Sequence, residues 1–195
     1  MNNEIIYIVT SLHRSGSSMM MRCLEAGGME VVCDKSADYD LDTEFGSDGY
    51  APNPNGYYQM PGDIFENGNL VERLNGKVMK MYLDILSQLP IARYKIIFMK
   101  RDKKEILASM AKMSGGKHLG DEQTNVENDS IFLAEKKSQF SSRPDFDFIE
   151  IDYAKLVKNP QEAFTKIKEF GFPIDITKAC EMVEPSLHRF KLENL

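Results

Sequence analysis

Short apolar runs rich in β-branched residues alternate along this chain with stretches whose apolar positions recur every three to four residues. Ile5 to Thr10 is one such run and predicts a buried strand. A polar loop, Ser11 to Ser17, leads into Ser18 to Ala26, which predicts a helix closed by Gly27-Gly28. Val31-Val32, Lys77 to Tyr82, Tyr94 to Lys100 and Phe146 to Asp152 predict further strands. Pro61 to Leu74 predicts a helix with proline near its start. Asp102 to Met113 carries helix signals at both ends: Asp102 to cap it, Glu105 to complete a capping box, Gly115-Gly116 to stop it. Its apolar residues Ile106, Leu107, Met110 and Met113 fall on one face. Asp121 to Phe140 has a weaker helical pattern. Asn159-Pro160-Gln161-Glu162 opens a last helix that buries Ala163, Phe164, Ile167 and Phe170 before Gly171. Strands alternating with helices imply an α/β fold, a three-layer α/β/α sandwich around a central parallel sheet.

One stretch breaks this rhythm. Asp34 to Asn55 carries Asp34, Asp38, Asp40, Asp42, Glu44 and Asp48 against Lys35 alone, and ends in the turn-rich Pro52-Asn53-Pro54-Asn55-Gly56. So long an acidic loop in a compact domain is either functional or disordered. There is no internal repeat and no low-complexity linker, so residues 1–195 are read as a single domain. The 24 basic and 30 acidic side chains leave a net charge of −6, which disfavours nucleic acid or an anionic membrane as partner. No basic leader, signal-type apolar segment or bilayer-length apolar run is present, and Cys23, Cys33 and Cys180 lack metal-ligand spacing. A cytoplasmic protein with reduced, buried thiols is the expectation.

Two stretches carry candidate chemistry. Thr10-Ser11-Leu12-His13-Arg14-Ser15-Gly16-Ser17-Ser18 joins a strand to a helix, so backbone N–H groups and the positive helix end converge on one point suited to an anion. Gly16 allows close approach, the hydroxyls of Ser15, Ser17 and Ser18 add donors, and Arg14 adds charge. This is not a Walker A loop, because Ser17 stands where that motif requires lysine, and no Walker B aspartate for magnesium is evident. A Ser/Gly-rich turn without a ligand is the alternative. Further on, a strand delivers Arg101, and Ser109 follows eight residues later, about two helical turns away. Guanidinium and hydroxyl could grip one phosphate together; a surface ion pair for Arg101 is the alternative.

Taken together, these motifs resemble those of the P-loop sulfotransferases, whose donor is 3′-phosphoadenosine 5′-phosphosulfate (PAPS) and whose nucleotide product is the desulfated bisphosphate (PAP). The family's basic-Ser-Gly-Thr/Ser-Thr/Ser loop is similar to Arg14-Ser15-Gly16-Ser17-Ser18 and implies the 5′-phosphosulfate site. Its strand ending in Arg, then Asp or Asn, with Ser eight after the Arg, is similar to Arg101, Asp102 and Ser109 and implies the 3′-phosphate site. Ile149 to Pro160 resembles the Tyr-x-x-Leu segment that implies Tyr153 at the adenine, and Asn53 to Gln59 resembles a segment of bacterial members. A C-terminal basic loop, here Arg189 and Lys191, is implied at the 3′-phosphate, a charged tail being the alternative. The resemblance runs from Ile5 to about Phe190 and implies a P-loop NTPase-like fold.

The activity thus implied is metal-free transfer of a sulfuryl group to a hydroxyl or amine of a small molecule or glycan. Arg14, the 15–18 amides and Lys80 would stabilise charge on the leaving phosphate, with His13 in the same loop. Where the family's Lys-Thr-His base stands, this chain has Lys80-Met81-Tyr82, and Gln59 stands where several bacterial relatives have glutamate. Neither glutamine nor a phenol near pKa ~10 is a good base at neutral pH. His13, His118, Glu66 and the acidic loop remain candidates. A P-loop kinase or other nucleotide-binding protein, and a relative that binds nucleotide without catalysis, are the competing readings.

Overall fold

The computed structural model describes residues 4–36, 51–66, 68–117 and 120–191. Most of the acidic loop, including Asp38, Asp40, Asp42, Glu44 and Asp48, lies outside these residues, as does His118. Strand β1 (Ile5–Ser11) is apolar on both faces, and Ile6, Ile8 and Val9 are fully buried. Such a strand belongs at the centre of a parallel sheet covered from both sides.

The neighbouring strands are β2 (Val31–Val32), β3 (Val78–Lys80), β4 (Arg93–Lys100) and β5 (Phe146–Asp152). They form a five-stranded, all-parallel sheet in the order β2-β3-β1-β4-β5. Ile8 lies opposite Met79 on one side and Ile96 on the other, so the central register joins apolar residue to apolar residue. One face packs against α1 (Ser17–Ala26), α6 (Tyr153–Lys158), α7 (Pro160–Phe170) and α8 (Ile176–Glu181), through Met20, Leu24, Leu156, Phe164, Ile167 and Ala179. The other face packs against α2 (Leu70–Leu74), a 3₁₀ helix (Leu83–Gln88) and α5 (Asp129–Ser141), through Leu74, Leu86 and Phe140. Helix α3 (Lys103–Met113) joins α4 (Asp121–Glu127) in a smaller cluster of Leu12, Ile106, Met110 and Val126. The expected α/β/α sandwich is the observed architecture.

Several local expectations need correction. Helix is confined to Leu70–Leu74 within the stretch expected from Pro61, because Gly68 (φ 79°) interrupts it and the Asn69 side chain then caps a fresh start by accepting from Val71 N. Strand β3 ends at Lys80, and the chain turns directly into the 3₁₀ helix. Asp102 does cap α3, accepting from Lys104 N at 2.8 Å. Glu105 does not close a capping box; its carboxylate accepts from Arg101 Nε at 2.9 Å and lies 2.8 Å from His188 Nε2. The stretch from Asp121 is two helices meeting at Asn128. Short helices α6 and α8, each capped by an aspartate (Asp152 and Asp175), were not anticipated. Cys23 is buried, whereas Cys33 and Cys180 are only half-buried. No helix among the described residues is long and apolar enough to cross a membrane.

From β1 the chain runs out to β2, returns to β3 beside β1, and then crosses to β4 and β5 on the other side of β1. Carboxyl ends of strands diverging in this way leave a crevice where α/β proteins bind ligands.

Candidate functional site

Ser11, Lys80, Arg101 and Tyr153, at or just after the carboxyl ends of β1, β3, β4 and β5, line one cleft of about 370 Å³. Gly16 opens α1 in the left-handed region (φ 91°), and a Cβ there would overlap the Tyr153 ring. Only glycine satisfies both demands. No acidic residue occupies the first turn of α1, so its positive end and the N–H groups of Ser17, Ser18 and Met19 lack an intrahelical acceptor. Gly16, Ser17 and Ser18 line the cleft; Ser15 is buried instead, with its Oγ lacking a hydrogen-bond partner.

Arg14 also lies in the left-handed region (φ 60°), an uncommon place for a side-chain-bearing residue. Its guanidinium ties three separate segments together. Nε donates to Ser109 Oγ at 3.1 Å, Nη1 to Asn53 Oδ1 at 3.1 Å and Nη2 to the Pro52 carbonyl at 2.9 Å. The loop and α3, read from the sequence as two anion sites, meet through the hydrogen bond from Arg14 to Ser109.

Arg101 is the buried partner in this arrangement, its side chain 7% exposed. It donates to Glu105, to the Arg14 carbonyl at 3.0 Å and to the Phe190 carbonyl at 3.2 Å, and its guanidinium lies 4.7 Å from the centre of the Tyr153 ring. His188 packs edge-on against the same ring at 4.9 Å. Burial alone would push the Glu105 carboxyl up, but hydrogen bonds from Arg101 and His188 outweigh it and hold the group below the usual carboxylate range. Arg101 is thus a hinge pin between loop, helix and C-terminal segment rather than a charge standing open to the cleft.

Two segments roof the cleft. Lys80 Nζ and Ser18 Oγ both donate to the Tyr57 carbonyl, the latter at 3.1 Å. Arg189 Nη1 donates to the Ala51 carbonyl at 3.0 Å, and Asn55 Nδ2 to Glu184 at 3.1 Å, so the 51–57 stretch and the C-terminal stretch are laced to each other. Arg14, Arg22, Lys80, Arg101 and Arg189 all line the cleft, while the described lining residues include no aspartate or glutamate. In a chain of net charge −6, that makes a cationic cleft in an acidic protein.

At one wall His13 stacks on Tyr82 with ring centres 5.3 Å apart, and the Tyr82 hydroxyl donates to Gln59 Oε1 at 2.7 Å. Burial, then Lys80 and Arg14, push the His13 imidazole down to about 4, with Asp84 opposing. Of the other base candidates, Glu66 is exposed and not among the cleft residues.

The sequence-predicted residues His13, Arg14, Gly16, Ser17, Ser18, Lys80, Arg101, Ser109, Tyr153 and Arg189 are therefore brought to one cleft, and Ser15 is not. Sequence reasoning missed Arg22, His188 and the carbonyls of Pro52 and Tyr57. Arg22 stands four residues after Ser18 on α1, a spacing that could have revealed it; the others depend on long-range folding and leave no local signal.

No family model and no curated protein matches the chain. Among solved structures it is similar to a sulfotransferase from Mycobacterium tuberculosis, at 13% identity and a TM-score of 0.53, over 97% of this chain and 73% of that one. A sugar kinase from Janibacter sp. HTCC2649 aligns at 11% identity with a TM-score of 0.41, covering 94% of this chain and 97% of that one, too low to carry an argument. The first likeness, together with the all-parallel sheet, shows a three-layer α/β fold like that of this sulfotransferase.

Proposed function

We propose that this protein binds 3′-phosphoadenosine 5′-phosphosulfate and transfers its sulfuryl group to a hydroxyl or amine of a small-molecule or glycan acceptor. The observation that carries the reading is the cleft itself: Arg14, Lys80 and Arg189 line it beside one bare helix N-terminus, with Arg101 and Arg22 paired to Glu105 and Glu184. Such a donor set suits a ligand with two anionic ends. The cleft volume falls within the ~300–1,000 Å³ typical of small-ligand pockets.

The residues fit the donor as follows. Gly16, Ser17 and Ser18 offer backbone amides, and Ser17 its hydroxyl, to the 5′-phosphosulfate, with Arg14 and Lys80 beside them. Ser109 accepts from Arg14 through its oxygen and keeps its own proton for a phosphate oxygen. Arg189 and Arg101, which line the same cleft, complete the 3′-phosphate seat, Arg101 through the positions it fixes as much as through its charge. Tyr153, buried against Gly16, forms the wall beside the adenine. When bound, the donor supplies a sulfuryl group whose departure leaves charge on the 5′-phosphate. Arg14, Lys80 and the α1 amides lie in the same cleft and would stabilise that charge as it develops. A magnesium-dependent kinase would instead call for a loop lysine and a carboxylate ligand.

The test is transfer of radiolabelled sulfate from PAPS to a panel of phenols, alcohols, amines and sugars. Label in an acceptor is the expected result. A blank panel from protein that still binds the nucleotide would identify a non-catalytic relative, and phosphoryl transfer from magnesium-ATP would identify a kinase.

A further inference from the structure

We propose that Glu105 and His188 form a clamp that positions Arg189 in the cleft and so sets a preference for a nucleotide carrying a 3′-phosphate. The proposal rests on the donor reading above. It assigns two positioning residues, which act through Arg189 rather than by touching the ligand.

In the C-terminal stretch, neighbouring residues face opposite ways. Leu187, Arg189 and Phe190 line the cleft, while His188 does not and is only 8% exposed. The His188 ring turns inward, meets Tyr153 edge-on at 4.9 Å and brings Nε2 to 2.8 Å from Glu105 Oε2. That same oxygen accepts from Arg101 Nε at 2.9 Å. The Glu105 carboxyl is held below its usual range, so at neutral pH it only accepts, and His188 Nε2 is the donor. Arg101 then reaches on to the Phe190 carbonyl at 3.2 Å. Residue 188 is thus fastened by its side chain and residue 190 by its backbone, to two groups that are bonded to each other. Arg189 is the residue between the two fastenings.

The clamp also stands where the 3′-phosphate is to be read. Glu105 and Ser109 lie one turn apart on α3, and both are buried. Arg101 donates to the Arg14 carbonyl, and Arg14 donates to Ser109, so one network joins clamp and hydroxyl. Arg189 itself is a long, exposed side chain on irregular backbone. Ordering such a residue at the moment of binding costs affinity, and a backbone fixed beforehand avoids part of that cost. The tie resists opening because a parted Glu105 would be a buried carboxylate short of a donor. A nucleotide without a 3′-phosphate gains nothing from Arg189, so loss of the clamp reads on discrimination. A purely structural role would weaken every nucleotide alike.

The test is calorimetric titration of the full chain with adenosine 3′,5′-bisphosphate and with adenosine 5′-phosphate. His188→Leu keeps apolar bulk against Tyr153 and removes the donor; His188→Gln keeps an N–H of similar reach. His188→Leu should lose ~10-fold or more in bisphosphate affinity and stay within about twofold for the 5′-phosphate. His188→Gln should recover most of that loss. Arg189→Ala should cost less in the His188→Leu background than alone, because a guanidinium no longer aimed has less to give. Should the variants fail to fold, amide exchange over residues 187–190 of the unmodified protein decides the matter. The bisphosphate should slow it by up to the same ~10-fold, and the 5′-phosphate should leave it unchanged. Equal losses for the two nucleotides in His188→Leu, discrimination kept intact there, independent losses in the double variant, or exchange indifferent to the bisphosphate each overturn the clamp. Failure of the bisphosphate to bind the unmodified protein removes the donor reading itself, a separate result.

Discussion

Glu105 holds the C-terminal segment to the site. Its carboxylate, 5% exposed, meets Arg101 on its own helix and His188 from 83 residues away. Removing one member of a buried charge group strands the others, at a cost of about 3–5 kcal/mol. Glu105→Ala should accordingly unfold in urea with a stability lower by that order, and Glu105→Gln, which can still accept a hydrogen bond, should lose less. The pH dependence follows from two depressed groups. The unfolded chain protonates His13 near 6.5 while the native ring resists down to about 4, so stability falls as pH drops through that window. Glu105 adds a second loss, which begins as the unfolded carboxyl protonates at its ordinary value of about 4.5 and is complete once the native, depressed carboxyl protonates too. Urea midpoints measured between pH 7 and 4 should decline, and His13→Gln should flatten the decline between 6.5 and 4. An unchanged slope in the variant would assign the loss to other groups.

Among the elements, the β1–loop–α1 turn was the most legible from sequence, because an apolar strand, a glycine and a polar helix start lie within fourteen residues. Helix α3 was legible for the same reason, with its cap and apolar face both local. Its capping box was not, since Glu105 has the right spacing for one fate and a buried partner, His188, for another. The helix expected from Pro61 was misread because Gly68 and the Asn69 cap outweigh the apolar spacing around them. The roof followed the same rule: Asn53 was visible as part of a segment, but its hydrogen bond from Arg14 spans 39 residues of chain. Two predictions belong to this scale. Gly16→Ala combines a positive φ with overlap on Tyr153, and should cost about 1–3 kcal/mol in thermal unfolding while abolishing bisphosphate binding. Arg189→Ala removes an exposed side chain, so the melting temperature should barely move. Bisphosphate affinity should nevertheless fall by roughly 10–100-fold, the weight of a charge-assisted hydrogen bond. A variant that binds normally would return Arg189 to the role of a roof tie.

At the scale of the whole molecule, a chain of net charge −6 carries a cationic cleft at the carboxyl edge of a parallel sheet. A cleft of one sign within low-dielectric walls focuses its field on small anions. It repels nothing of that class at short range, while the net charge of −6 discourages large polyanions. Raising salt should weaken bisphosphate binding, as screening shortens to about 8 Å at 0.15 M and less beyond. The claim on which the account turns is that a single cleft grips two phosphates of one adenosine, bridged by Arg14 and Ser109. Calorimetric titration of adenosine 3′,5′-bisphosphate against adenosine 5′-phosphate, in the unmodified protein and in Ser109→Ala, reads that claim directly. The account predicts at least ~10-fold tighter binding of the bisphosphate, one charge-assisted contact's worth, and a gap that narrows sharply in the variant. Equal affinities in the unmodified protein, or a gap untouched by Ser109→Ala, would contradict it.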